Sequence, residues 1–305
     1  MSDKLIYYTL IWNSKKNYSV KITNKEIIDA EYYIDTVTLR KSKFIVKIYG
    51  KIKDNNKLII ADNIENKGFS NIPLLKSNLQ KCIRRGLTDK AIVTAYNLIQ
   101  KDFWSFIRRI IIISIEDVSV LENIPFLSWC LIAYPNFNLT NEIIQYLLLT
   151  VFSLCLFKKK INIKKNGKII EDYINFKNDP LKFGYLIRME YGGLKGDMAM
   201  INTLLSKKIK NNHIVRVSLK NLIITRNINR QDIINPSIDF HINSKIIDYV
   251  SKKSEIKNYD TIKKTIWNHC SSINFRENLK EKKLRKEWDK IKYILEGFYK
   301  EFKIY

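Results

Sequence analysis

The hydrophobic pattern changes period once along this chain, near residue 70. Before that point it is strand-like. Residues 5–12, Leu-Ile-Tyr-Tyr-Thr-Leu-Ile-Trp, are rich in β-branched and aromatic side chains and run into the turn signal Asn13-Ser14-Lys15-Lys16. Tyr18, Val20 and Ile22 alternate with polar neighbours, as a return strand would. Further strands are expected at 36–40 and at 44–52, where Phe44, Val46, Ile48 and Tyr49 favour a sheet. Asp54-Asn55-Asn56-Lys57 reads as a hairpin turn into Leu58-Ile59-Ile60-Ala61. Residues 1–70 are therefore expected to form a small antiparallel β region of four or five strands that packs on the helical remainder of the chain. No run interleaves aromatic and basic residues regularly, which favours a scaffold with its aromatics in the core over an open nucleic-acid platform.

From Pro73 the period is helical. Leu75, Leu79, Cys82 and Ile83 fall on one face at 100° per residue, with Lys81, Arg84 and Arg85 on the other side and Gly86 as a C-cap. Thr88 is expected to cap a second helix with its stripe at Ile92, Val93, Ala95, Tyr96 and Ile99. A third, 103–114, is apolar nearly all round except at Ser105, Arg108 and Arg109, which suits a central position. Helices come next at 126–134 and, capped by Thr140 or Asn141, to about 157. Residues 158–168 hold Lys158, Lys159, Lys160, Lys164 and Lys165, a basic loop with little to bury. Later helices are expected at 180–191, at 198–210 with Asp197 as its cap, near 244–251, after Asp260 and over 277–303. The last carries Leu284, Trp288, Ile291, Leu295 and Phe298 on one face. The fold class is thus α+β: a β region at 1–70, then a mainly α-helical domain at 71–305. That domain divides into a core at 73–157, the basic loop, and a C-terminal helical part at 180–305.

Composition adds a partner class. The 305 residues hold 54 Lys+Arg against 30 Asp+Glu, a formal net charge of +24. Such an excess attracts polyanions. The abundance of Lys, Ile and Asn also follows AT-rich codons, so part of the basicity is open to a mutational origin. With 46% hydrophobic and 12% aromatic residues the chain can build a packed core. The 4 cysteines, Cys82, Cys130, Cys155 and Cys270, form no CxxC pair, which points to a reducing intracellular compartment. No signal peptide is evident and the longest apolar run, 146–157, is too short for a membrane span. The expected location is cytoplasm, nucleus, or a viral factory or virion, without secretion.

Candidate chemistry is sparse. Arg84 and Arg85 with Lys81 make a compact basic group suited to phosphate contacts, to which Lys158, Lys159, Lys160, Lys164, Lys165, Lys195 and Arg276 are added. Arg108 and Arg109 are expected to pair internally with Glu116 and Asp117. Gly192, Gly193, Gly196 and Asp197 form a glycine-rich loop that could meet a phosphate or simply turn tightly; it lacks the GxxxxGK[ST] spacing of a P-loop. Asp239, His241 and His269 are weak metal candidates, because nothing in the sequence brings them together. No catalytic residue is assigned and no cofactor is expected.

Residues 82–120, CIRRGLTDKAIVTAYNLIQKDFWSFIRRIIIISIEDVSV, resemble the helical collar of the RarA/MgsA and Werner-interacting group of clamp-loader-like AAA+ ATPases. Arg84–Arg85, Asp89, Ala91, Arg108–Arg109 and Glu116–Asp117 carry the resemblance. The family's glycine after the Glu-Asp-aliphatic run is Ser119 here, and no P-loop module precedes the collar. The resemblance implies a collar-like helical fold, a homo-oligomer and proximity to replicating DNA, without ATPase activity. The composition also resembles that of large AT-rich DNA viruses. The resulting expectation is a non-enzymatic nucleic-acid-binding accessory protein of DNA replication, repair or packaging. Two alternatives stay open: a metal-dependent enzyme acting on nucleic acid, and a structural or assembly protein with a basic surface.

Overall fold

The computed structural model describes residues 4–13, 17–26, 32–40, 44–51, 71–134, 136–137, 139–159, 161, 163, 178–218, 226–237, 244–271 and 282–301. Four strands open the chain: β1 (Lys4–Asn13), β2 (Asn17–Thr23), β3 (Tyr32–Leu39) and β4 (Phe44–Lys51). Their order is β2-β1-β4-β3. Two hairpins, β1–β2 and β3–β4, lie side by side. β1 and β4 meet between them as parallel strands, so the sheet is mixed and not antiparallel throughout. The central places go to the strands with the most apolar inward stripes: Ile6, Tyr8 and Leu10 on β1, Phe44, Val46 and Ile48 on β4, all buried. Burial there outweighs the slightly weaker pairing of a parallel ladder. The expected hairpin at 54–61 lies outside the described residues.

Helices α1 (Ile72–Arg85), α2 (Thr88–Lys101), α3 (Phe103–Ile113), α4 (Ile124–Ala133), α5 (Asn141–Leu156), α6 (Pro180–Glu190) and α7 (Lys195–Leu205) share one apolar core with the sheet. The architecture is α+β with a mainly helical domain after the sheet. Tyr8 closes the sheet onto α4. Its hydroxyl donates to Pro125 O at 2.6 Å, and its ring meets Phe183 of α6 edge-on, 5.5 Å between centroids. Trp129 of α4 donates its indole N–H to Tyr49 O at 2.9 Å. Among the described residues no helix is long and apolar enough to cross a membrane.

Local signals explain most helix ends. Asn71 accepts from Leu74 N at 2.8 Å to cap α1, and Gly86 ends it at φ 68°. Thr140 caps α5. Two expected caps differ. Thr88 is the first helical residue of α2, behind Leu87, and α7 begins at Lys195 behind Leu194, with Asp197 inside its first turn.

α4 and α6 approach closely at Gly184, where a Cβ would stand 2.6 Å from Ile124 Cγ2 and 3.1 Å from the Ile124 carbonyl carbon. Gly184→Ala is expected to cost about 1–3 kcal/mol as an overpacked contact. Denaturant unfolding of that variant reads the loss, and an unchanged midpoint would refute the close approach.

A second, smaller core joins α8 (Ser244–Lys253), α9 (Tyr259–Ile266) and α10 (Lys282–Glu301). It holds Ile246, Val250, Ile262, Ile266, Ile291, Leu295 and Phe298. Two π turns, Ser114–Val118 after α3 and Trp267–Ser271 after α9, each extend a helix. Both meet the C-terminal half of α1.

Candidate nucleic-acid interface

The basic group on α1 is internal, which corrects the expected exposed face. Lys81 and Arg84 are each only 3% exposed. α1 is surrounded by α2, α3, α5 and the 114–118 turn, so its polar side is enclosed as well as its apolar one. Arg84 grips Asp117 as a fork, Nε to Oδ1 at 2.8 Å and Nη2 to Oδ2 at 3.2 Å. Arg85 donates to His269 O at 2.6 Å and Cys270 O at 3.0 Å. Those carbonyls lie in the π turn that follows α9, so Arg85 ties the two cores together. Burial, with Arg84 and Arg85 adding repulsion, pushes the Lys81 ammonium down to about 7.

The second arginine pair also divides. Arg109 lies 3.9 Å from Glu116 and 4.0 Å from Asp197 and donates to Gln80 Oε1. Gln80 donates in turn to Glu116 at 3.0 Å and Asp117 at 2.9 Å. Burial, then the neighbouring Asp117, raises the Glu116 carboxyl above its ordinary range. Arg108, expected to pair with Glu116 and Asp117, is paired with neither among the described residues; it donates to Tyr191 O at 3.1 Å and lies over the Trp104 ring. Arg188, which the sequence did not single out, is buried and donates to Arg108 O at 3.1 Å and Gly192 O at 2.6 Å. The glycine loop is therefore a clamped turn. Gly192 and Gly193 have φ of 65° and 154°, which suit glycine. Asp197 faces Arg109, and Gly196 sits in the first turn of α7.

The metal candidates are not assembled among the described residues. Asp239 and His241 lie outside them. His269 is engaged, its Nδ1 2.9 Å from Thr265 O and its ring stacked on Trp288 with 4.6 Å between centroids. Among the described residues no group of three or more His, Cys, Asp or Glu could hold a metal ion. All four cysteines are buried and free.

Accessible basic residues gather elsewhere. The strands β5 (Val120–Leu121) and β6 (Ile214–Val215) pair in parallel, and Ser119 Oγ donates to His213 O. Ile161 N donates to Val118 O at 2.9 Å. Two basic stretches distant in sequence thus flank one connection, residues 118–122. Lys158 and Lys159 precede Ile161 in one of them; Lys207, Lys208, Lys210 and Arg216 lie before and after Ile214–Val215 in the other, all exposed. Lys160, Lys164, Lys165 and Arg276 lie outside the described residues. Lys195 is exposed but sits at the opposite end of α7, roughly 15 Å away at 1.5 Å rise per residue.

Between the first turn of α6 and the turn after α7 lies a cleft of about 370 Å³, lined in part by Lys182, Lys207, Lys208 and Asn211. The run Ser206-Lys207-Lys208-Ile209-Lys210 was a legible charge signal, but it falls where the sequence pattern extends α7. Comparison of the chain with protein-family models, curated proteins and solved structures finds no match to any of them.

Proposed function

We propose that this protein is a non-enzymatic nucleic-acid-binding accessory factor that holds the phosphate backbone on the basic surface around β5 and β6. The observation that carries the reading is that two segments bonded to residues 118–122, at Ile161 and at Ile214–Val215, are each preceded or flanked in sequence by exposed basic residues. These are Lys158 and Lys159 on one and Lys207, Lys208, Lys210 and Arg216 on the other, in a chain of formal charge +24. Lysine and arginine spread over a surface position a backbone without reading bases. Replication, repair or packaging are the processes that the collar resemblance of residues 82–120 supports. In that reading the collar's arginines build the fold, and the contact with nucleic acid belongs to the lysine-rich surface beside it.

Anisotropy titrations with labelled single- and double-stranded DNA across a salt series test this. Non-specific affinity on the order of 10⁻⁴–10⁻⁶ M at physiological salt is expected, falling linearly in log–log form as salt rises. Lys158→Ala/Lys159→Ala/Arg216→Ala should weaken every sequence alike and reduce the slope by about 1 per phosphate contact removed. No binding at low salt, or a variant with an unchanged slope, would overturn the assignment.

A further inference from the structure

The cleft between α6 and α7 differs from the surface around it. It is concave and has cations on both walls: Lys182 from α6, Lys207 and Lys208 from the turn after α7. Ser206 and Asn211 add a hydroxyl and an amide, and Leu181, Ile209 and Ile214 form an apolar side. The lining also holds one carboxylate, Asp179, whose Oδ1 accepts from Lys182 N at 3.2 Å and caps α6; the three lysines outnumber it. Neither Lys207 nor Lys208 has a carboxylate partner among the described residues.

A flat basic surface suits the singly charged phosphodiesters of a continuous backbone. A recess with three cations suits a more concentrated charge, and a phosphomonoester carries about −1.5 to −2 at neutral pH. A continuous strand cannot bring an internal phosphate into such a half-open cleft without leading the chain in and out again. A strand end can. The apolar side offers a place for the base or sugar of the terminal nucleotide. The volume lies near the lower end of the roughly 300–1,000 Å³ typical of small-ligand sites, which fits one nucleotide unit better than two.

We propose, building on the nucleic-acid reading above, that this cleft receives the terminal phosphomonoester of a nucleic-acid strand, with Lys182, Lys207 and Lys208 holding the phosphate. The protein then recognises phosphorylated strand ends in addition to binding backbone.

The test compares oligonucleotides of one sequence carrying a 5′-phosphate, a 3′-phosphate or free hydroxyls at both ends, with a nucleoside monophosphate as a fourth ligand. One phosphorylated end is expected to bind about tenfold more tightly than the hydroxyl form, the scale of a charge-assisted contact. Lys182→Ala, at a cleft residue outside the backbone-binding set, should remove that preference while retaining most backbone affinity. Lys264→Ala, an exposed substitution on α9, should leave the preference unchanged. Equal affinity for all three strands overturns end recognition and leaves the broader reading standing. Capture of the free nucleotide without discrimination among strand ends also overturns it. Absence of binding to every strand overturns both.

Discussion

Asp117→Asn is expected to lower the unfolding free energy by on the order of 3–5 kcal/mol, the range for removing one partner of a buried ion pair. The loss has a specific origin. Arg84 is 3% exposed and directs two donors at the two carboxylate oxygens, 2.8 and 3.2 Å away. An asparagine keeps one acceptor and presents an amide N–H₂ toward the second donor. It removes the negative charge that faces the buried guanidinium at these two donors, and it disturbs the bond from Gln80 at 2.9 Å. Against a typical total stability of about 5–15 kcal/mol, the change is a large fraction. Urea unfolding followed by circular dichroism measures it. The double variant Arg84→Met/Asp117→Leu should recover most of the loss, because replacing both charges by apolar groups removes the uncompensated one. A double variant as unstable as the single one would show that packing around Arg84 matters, and not its charge.

Lys81→Met is expected to make stability less dependent on pH between 7 and 9, and to stabilise the protein at pH 7 by about 1–4 kcal/mol. The folded ammonium is pushed down to about 7 by burial and then by Arg84 and Arg85, whereas the unfolded chain keeps the ordinary value of 10.5. Between those values the unfolded state binds one more proton than the folded state. Stability therefore rises with pH through that window, by at most about 1.4 kcal/mol per unit. It is lost as pH falls from 10.5 to 7 and changes no further below. The gap between variant and wild type should accordingly narrow as pH climbs from 7 to 9. Burial raises the Cys82 and Cys130 thiols and the buried tyrosines, but these groups are present in both proteins and cancel in the difference. A gap that stays constant from pH 7 to 9 would contradict a buried, readily deprotonated Lys81.

These two residues show where sequence reading reaches its limit. The wheel of α1 correctly separates Leu75, Leu79, Cys82 and Ile83 from Lys81, Arg84 and Arg85. A wheel describes one helix, however, and cannot tell whether a polar face meets water or another element. Here Asp117, 33 positions further on, arrives on a π turn and closes over Arg84. The expected pairing of Arg108 and Arg109 with Glu116 and Asp117 was right in kind for Arg109 and Glu116. It failed for Asp117, which nearness in sequence assigned to the wrong arginine. The basic stretches at 158–159 and 207–216 meet only because β5 and β6 pair and Ile161 bonds to Val118.

By itself the sequence determined the β region, the change to helical period near residue 70, most helix positions, the chain's large positive charge and the apolar stripe of the last helix. All of these follow from local preference and periodicity, which act over a few residues. The tertiary structure alone decided that β1 and β4 run parallel, that the arginines of α1 are internal, and that two distant lysine-rich segments flank one ladder beside a cleft. Those outcomes depend on long-range burial and on which distant carboxylate reaches a buried charge first. No local pattern encodes that choice.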